Sequence, residues 1–140
     1  PTSDCVLELG CGTGPGACYM ARRGWRVHGL DLVPTAVAQA RRISAELQLM
    51  ERVSYQVCDV AAPDAVVSGP AEQYDLVLDS YCSQGIVLPQ DRAAMFELIR
   101  RSLRPHGLLL MSCVLFNPAR CAEHVPPIAK VCHTPSFVSE

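Results

Sequence analysis

At 140 residues, 49% of them hydrophobic, the chain is long enough to bury one core without covalent staples, so its 8 cysteines do not mark a small disulfide scaffold. The formal charge is −2, and the 12 basic side chains, with Lys130 the single lysine, are scattered, which argues against a nucleic-acid backbone as partner. No run approaches the roughly 20 apolar residues that span a bilayer, and no signal segment opens the chain. A cytoplasmic protein with reduced thiols and no membrane contact is expected.

Short Val- and Leu-rich runs alternate with segments of helical period, the pattern of βαβ units around a parallel sheet. The first strand is expected at Cys5–Leu9, followed by a glycine cluster from Gly10 to Gly16. A helix fits Gly16–Arg23, with Pro15 near its first turn and Gly24 just past its end. Arg26–Leu30 reads as the second strand, in which His28 is expected at the surface or as a satisfied edge residue. Pro34 opens a helix whose apolar stripe is Val37, Ala40, Ile43 and Leu47.

Val53–Val57, Tyr74–Leu78 and Leu108–Leu115 follow as strands apolar enough to be covered on both faces. Between the last two, Asp91–Leu103 forms a helix with Ala94, Met95, Leu98 and Ile99 inward. The arginine groups 22, 23, 26 and 100, 101, 104 fall at helix ends, where cations meet the negative end of the dipole and water. After Phe116 the periodicity stops among prolines. One domain over 1–115 with an irregular tail over 116–140 results, and the start at Pro1 reads as the inside of a longer protein.

The strongest signal is Val6-Leu7-Glu8-Leu9-Gly10-Cys11-Gly12-Thr13-Gly14, a strand running into a glycine turn before a helix. Bare backbone there admits positive φ and lets a nucleoside lie against the chain. Gly12, Gly14 and Ala17 also satisfy the dinucleotide pattern, with Asp31 placed to accept from a ribose diol, so the glycines alone leave a nicotinamide dinucleotide open. Glu8 discriminates. Its carboxylate would repel a pyrophosphate and welcome the ammonium of S-adenosylmethionine, which carries an amino acid tail and no phosphate.

This segment resembles motif I of the class I S-adenosylmethionine-dependent methyltransferases at Glu8, Gly10, Gly12 and Gly14. Further landmarks follow in order: Asp31 closing strand two, Asp59 after strand three, Tyr74–Asp79 as strand four, and Leu103-Arg104-Pro105-His106-Gly107 as the turn before strand five. His106 replaces the first glycine of that turn. The resemblance implies a Rossmann-like three-layer α/β/α domain with an open, mainly parallel sheet, strand order 3-2-1-4-5, and helices on both faces. It implies methyl transfer from S-adenosyl-L-methionine, with a small-molecule acceptor favoured because Asp79-Ser80-Tyr81-Cys82 is not the tetrapeptide of amino-methylating nucleic-acid enzymes.

It further implies cofactor contacts from Glu8, Gly10, Cys11, Gly12, Gly14, Asp31, Leu32, Asp59, Val60 and Asp79. Asp31 would take the ribose hydroxyls and Asp59 the adenine amino group. Ser80, Tyr81 and Cys82 are the substrate-pocket candidates. No catalytic base is assigned, since no cation or base in the sequence adjoins Tyr81 or Cys82. Cys121, His124, Cys132 and His133 are competent metal ligands, but their spacing fits no familiar structural site, and no metal is expected. The alternatives are a nicotinamide-dependent oxidoreductase and a non-catalytic binding module of the same fold. Oligomeric state is left open.

Overall fold

The computed structural model describes residues 4–69 and 73–114. The expected tail at 116–140, and with it Cys121, His124, Cys132 and His133, lies outside the described residues. In chain order the elements are β1 (Cys5–Leu9), α1 (Pro15–Ala21), β2 (Arg26–Asp31), α2 (Pro34–Glu46), β3 (Val53–Val57), β4 (Tyr74–Ser80), a short 3-10 turn (Ser83–Gly85), α3 (Pro89–Ser102) and β5 (Leu103–Ser112). The five strands form one parallel sheet in the order β3-β2-β1-β4-β5. This is the Rossmann-like order expected from the sequence.

Alternation along the strands divides the core between two layers. Val6 of β1 faces α1 and α2, packing with Ala17, Ala21, Val37 and Ala40. Its neighbours Leu7 and Leu9 face the other way, onto Met95, Leu98 and Ile99 of α3. Each fully buried leucine contributes about 2 kcal/mol of transfer free energy, which makes the central strands the stable platform for the loops at their ends.

All three α-helices among the described residues begin with proline, at Pro15, Pro34 and Pro89, where the missing N–H has no intrahelical acceptor to lose. None of them has a side-chain N-cap hydrogen bond. Helix α2 corrects the expected stripe: Val37, Ala40 and Ser44 are its buried residues, and Leu47 lies beyond its last turn, 38% exposed. Ser44 takes the inward position because a hydroxyl partner meets it there.

His28 also departs from expectation. It is buried on β2, an inner strand, where Nδ1 meets Ser54 Oγ at 2.8 Å and Nε2 meets Gln56 Oε1 at 3.3 Å. It is satisfied but not superficial, and burial lowers its pKa. Strand β5 starts earlier than expected, at Leu103, with a register shift against β4 between Tyr74 and Leu76. His106 lies inside it at φ 67°, the left-handed conformation for which the resembling families use glycine. Leu108 and Leu110 are 69% and 56% exposed, so β5 is not covered on both faces among the described residues.

Candidate functional site

Strand order reverses between β1 and β4, and the carboxyl ends of β1, β2 and β4 open there into a cleft of about 250 Å³. The structure brings six of the expected residues to its walls: Gly10, Asp31, Leu32, Asp59, Val60 and Cys82. Cys58, Ala61 and Ile86 also line it and were not anticipated. Cys58 and Ala61 adjoin the Asp59-Val60 pair, so widening that motif by a residue each side would have found them. Ile86 lies between the 3-10 turn and α3, and nothing in the local pattern marks it.

The glycine turn is held from several sides. The Gly14 amide closes it on the Cys11 carbonyl at 3.0 Å, and the Cys11 amide donates to Leu30 O at 2.9 Å. Gly10 has φ 66°, and a Cβ there would stand 2.9 Å from Cys82 Cβ. The turn and the end of β4 therefore meet backbone against side chain, a contact only glycine allows.

Asp31 is the keystone of the cleft floor. Its Oδ2 accepts the Gly12 amide at 2.7 Å, and its Oδ1 accepts the Val33 amide at 2.9 Å. Each carboxylate oxygen keeps a second lone pair for a further donor. Asp59 makes the same local turn, with Oδ1 accepting the Ala61 amide at 2.9 Å. Asp79, fully buried, caps the segment after β4: Oδ1 accepts the amides of Cys82 at 2.8 Å and Ser83 at 3.2 Å. Its Oδ2 is buried without a partner.

Glu8 lies under the turn and not on the cleft wall. It is 5% exposed, and its carboxylate packs against Gly16 and accepts the Ala17 amide at the start of α1. Oε2 has no hydrogen-bond partner. Burial pushes the carboxyl up to about 7, partly offset by the Ala17 amide.

Burial also raises the nearby thiols, Cys11 to about 12 and Cys82 to about 11, with neighbouring carboxylates adding to the effect. Neither is a thiolate at neutral pH. Tyr81, at the end of β4, is 54% exposed and holds φ 66°, its amide donating to Ser112 O at 3.0 Å. A non-glycine residue in this conformation is strained, and such strain concentrates at binding sites. Cys11, Gly12, Gly14, Ser80 and Tyr81 frame the cleft region without lining the cleft itself.

A broader groove of about 750 Å³ runs along the outer edge of β3. Two of its guanidinium groups are already engaged, Arg41 with Tyr55 O at 2.6 Å and Arg52 with Gly24 O at 2.9 Å. It lies on the far edge of the sheet from the β1–β4 crevice, and the smaller cleft is the candidate site.

A glycine turn, a carboxylate floor and a crevice at the point of strand reversal define an α/β domain that binds a nucleoside-bearing cofactor. Comparison with known families makes this specific. The family model described as "Methyltransferase domain" matches residues 6–107, and the chain belongs to that family. A ubiquinone biosynthesis O-methyltransferase of Psychrobacter cryohalolentis is 32% identical over 113 residues, covering 81% of this chain and 42% of that protein. The aklanonic acid methyltransferase DauC of a Streptomyces species is 36% identical over 84 residues, covering 57% and 36%. Among solved structures, the glycopeptide N-methyltransferase MtfA complexed with S-adenosyl-L-methionine superimposes with a TM-score of 0.66 at 26% identity, covering 79% of this chain and 47% of that one. The chain thus spans less than half the length of these relatives.

Proposed function

We propose that this chain binds S-adenosyl-L-methionine in the cleft at the ends of β1, β2 and β4, and that the protein transfers its methyl group to a small-molecule acceptor. The observation that carries the reading is Glu8: its carboxylate occupies the first turn of α1, where the pyrophosphate of a dinucleotide would sit. The same carboxylate leaves Oε2 buried and unpartnered, and Asp79, at the end of neighbouring strand β4 and in register with Leu9, leaves Oδ2 so. Two orphaned acceptors beside a bare turn fit an ammonium group and not a phosphate.

In this reading Asp31 accepts the ribose hydroxyls through its remaining lone pairs. Asp59 accepts from the adenine amino group, with the Val60 amide alongside, and Leu32, Val60 and Ile86 cover the base. Gly10, Cys11, Gly12 and Gly14 let the backbone approach the amino acid tail, which Glu8 and Asp79 balance in charge. When bound, the cofactor supplies a methyl group on a sulfonium, an electrophile whose charge disperses during transfer. The protein's task is alignment and exclusion of water, which accounts for most of the acceleration in such reactions. Ser80, Tyr81 and Cys82 face the acceptor. The high thiol of Cys82 makes it a wall and not a base.

Likeness to the ubiquinone biosynthesis O-methyltransferase favours an oxygen on a small molecule as the acceptor. Residues 1–115 form the cofactor-binding unit in this proposal, with 116–140 a tail, and the protein works in the cytoplasm. No helix among the described residues is long and apolar enough to cross a membrane. Calorimetric titration with S-adenosylhomocysteine and with NADH tests the cofactor, and transfer of labelled methyl to hydroxylated small molecules tests the reaction. Binding of NADH alone would end the reading. Binding of S-adenosylhomocysteine with no transfer to any acceptor would favour the non-catalytic module.

A further inference from the structure

Gly29 of β2 carries no side chain, and its space is filled from two directions. A Cβ there would stand 2.8 Å from Tyr55 Cδ1 and 2.9 Å from Cys11 Sγ. The Tyr55 ring thus crosses from edge strand β3 over β2 toward the glycine turn. Its hydroxyl ends against Gly14, where a Cβ would lie 2.5 Å from the phenolic oxygen and 3.1 Å from Ala40 Cβ.

That hydroxyl is held in place. It shares a hydrogen bond with Ser44 Oγ at 2.8 Å and lies 3.9 Å from Cys18 Sγ, which itself meets Ser44 Oγ at 3.3 Å. All three side chains are buried. The surrounding layer is otherwise aliphatic, built from residues such as Val6, Val27 and Val37. A phenylalanine would fill nearly the same volume there without a polar group to satisfy, so the hydroxyl's place is set by what it touches.

What it touches is the start of α1. Gly14 is the residue before that helix, at φ 84° with no side-chain cap, and its carbonyl accepts the Cys18 amide at 3.0 Å. From Gly14 the chain of contacts runs through the Cys11 carbonyl back into the turn, and from the Gly12 amide to Asp31 Oδ2.

We propose that Tyr55 is a positioning residue for cofactor binding: its hydroxyl, clamped by Ser44 and Cys18, props Gly14 and so fixes the height of the Gly10–Gly14 turn over the cleft. The inference rests on the cofactor reading above and extends it to a side chain outside the cleft. Without the prop, the turn relaxes toward the core, and the Gly12 amide and Asp31 no longer hold one geometry.

The test uses the full chain and its Tyr55→Phe, Ser44→Ala and Val53→Ala variants, the last opening a cavity in the same core layer away from the turn. Calorimetry gives the Kd for S-adenosylhomocysteine, and urea melts give stability. Tyr55→Phe and Ser44→Ala should each weaken binding about fivefold, the scale of a small neutral hydrogen-bond network, and the double variant should be no weaker than Tyr55→Phe. Val53→Ala should lose at least as much stability and bind within twofold of the parent. Amide exchange at Gly12 and Gly14 should quicken in Tyr55→Phe and Ser44→Ala and not in Val53→Ala. If Tyr55→Phe does not fold, Ser44→Ala carries the test. Unchanged affinity in both network variants overturns the proposal, as does a loss that follows stability equally in all variants. A parent chain that binds no S-adenosylhomocysteine removes the cofactor reading itself, a result distinct from a parent that binds and variants that match it.

Discussion

Replacing Glu8 with glutamine separates the two roles its carboxyl is given. Burial raises its pKa from 4.5 to about 7, so the folded chain holds this proton more tightly than the unfolded chain does. The stabilisation is complete below pH 4.5 and is lost as pH rises through 7. At about 1.36 kcal/mol per unit, this shift makes the ionised carboxylate cost about 3 kcal/mol of stability above neutrality. Glutamine keeps the shape and can still accept the Ala17 amide, yet takes no part in the titration. The stability of Glu8→Gln minus that of the parent should therefore climb from near zero at pH 4 to about 3 kcal/mol at pH 8, read from urea melts across the range. Binding should move the other way. With no carboxylate to meet an ammonium, affinity for S-adenosylhomocysteine should fall about tenfold or more. At pH 7 the carboxyl is about half protonated, so the parent should release about half a proton more than the variant on binding, measured by calorimetry in buffers of different ionisation enthalpy. A stability difference that is flat with pH would refute the buried, titrating carboxyl. Equal proton release by parent and variant would refute its contact with the tail.

Gly10→Ala places a Cβ at φ 66° and 2.9 Å from Cys82 Cβ, and should cost about 1–3 kcal/mol in urea melts while abolishing measurable binding of S-adenosylhomocysteine; full affinity would mean that the turn does not face the ligand. Cys82, its thiol raised to about 11, should react with iodoacetamide about tenfold more slowly than exposed Cys113 at pH 7.5, as peptide mass spectrometry can follow, and faster alkylation would contradict its desolvated setting. Asp75 accepts the Cys5 amide at 2.7 Å through Oδ2 and pairs with Arg104 at 2.8 Å through Oδ1. Arg104→Ala should therefore cost only about 0.5 kcal/mol, whereas Asp75→Ala, which removes both the ion pair and the carboxylate acceptor of the Cys5 amide, should cost more, about 2 kcal/mol in the same melts.

The frame of the molecule was legible because apolar runs of strand length stop abruptly at glycine or aspartate. Cys5–Leu9 ends at Gly10, and Val53–Val57 was delimited to the residue. Where the reading failed, a tertiary partner had decided the matter. Ser44 looks like a surface position on a helix until Tyr55 is seen to meet it from β3. His28 looks like an edge residue until Ser54 and Gln56, two apart on the neighbouring strand, take its two nitrogens. That period-two pair of polar side chains was the available signal for a buried imidazole. The resemblance implies a turn at Leu103–Gly107; Leu103 pairs with Tyr74 of β4 and pairing resumes at Leu108, so the stretch between is an irregularity within β5, with His106 at positive φ. Leu108–Leu110 have the composition of a covered strand, yet apolar character reports a tendency to be covered and not the presence of a cover.

The glycine spacing was the least informative part of the strongest motif, since it serves two cofactors of opposite charge at the tail. Discrimination comes from what fills the first turn of α1. In a dinucleotide site those amides are left open for the pyrophosphate, and the helix dipole favours its charge. Here Glu8 supplies the anion from within the chain, and Gly16 leaves it room to do so. With Asp31, Asp59 and Asp79 at the neighbouring strand ends, and no lysine or arginine on the cleft wall among the described residues, the crevice has acidic groups on several sides. Such a field disfavours a diphosphate and lowers the free energy of a ligand carrying an ammonium and a sulfonium. In the proposed reading the same carboxylate, partnered by the Ala17 amide at one oxygen and unpartnered at Oε2, gives the turn a reason to tighten on a cation: binding would give that oxygen a charged donor, so affinity and local order would rise together.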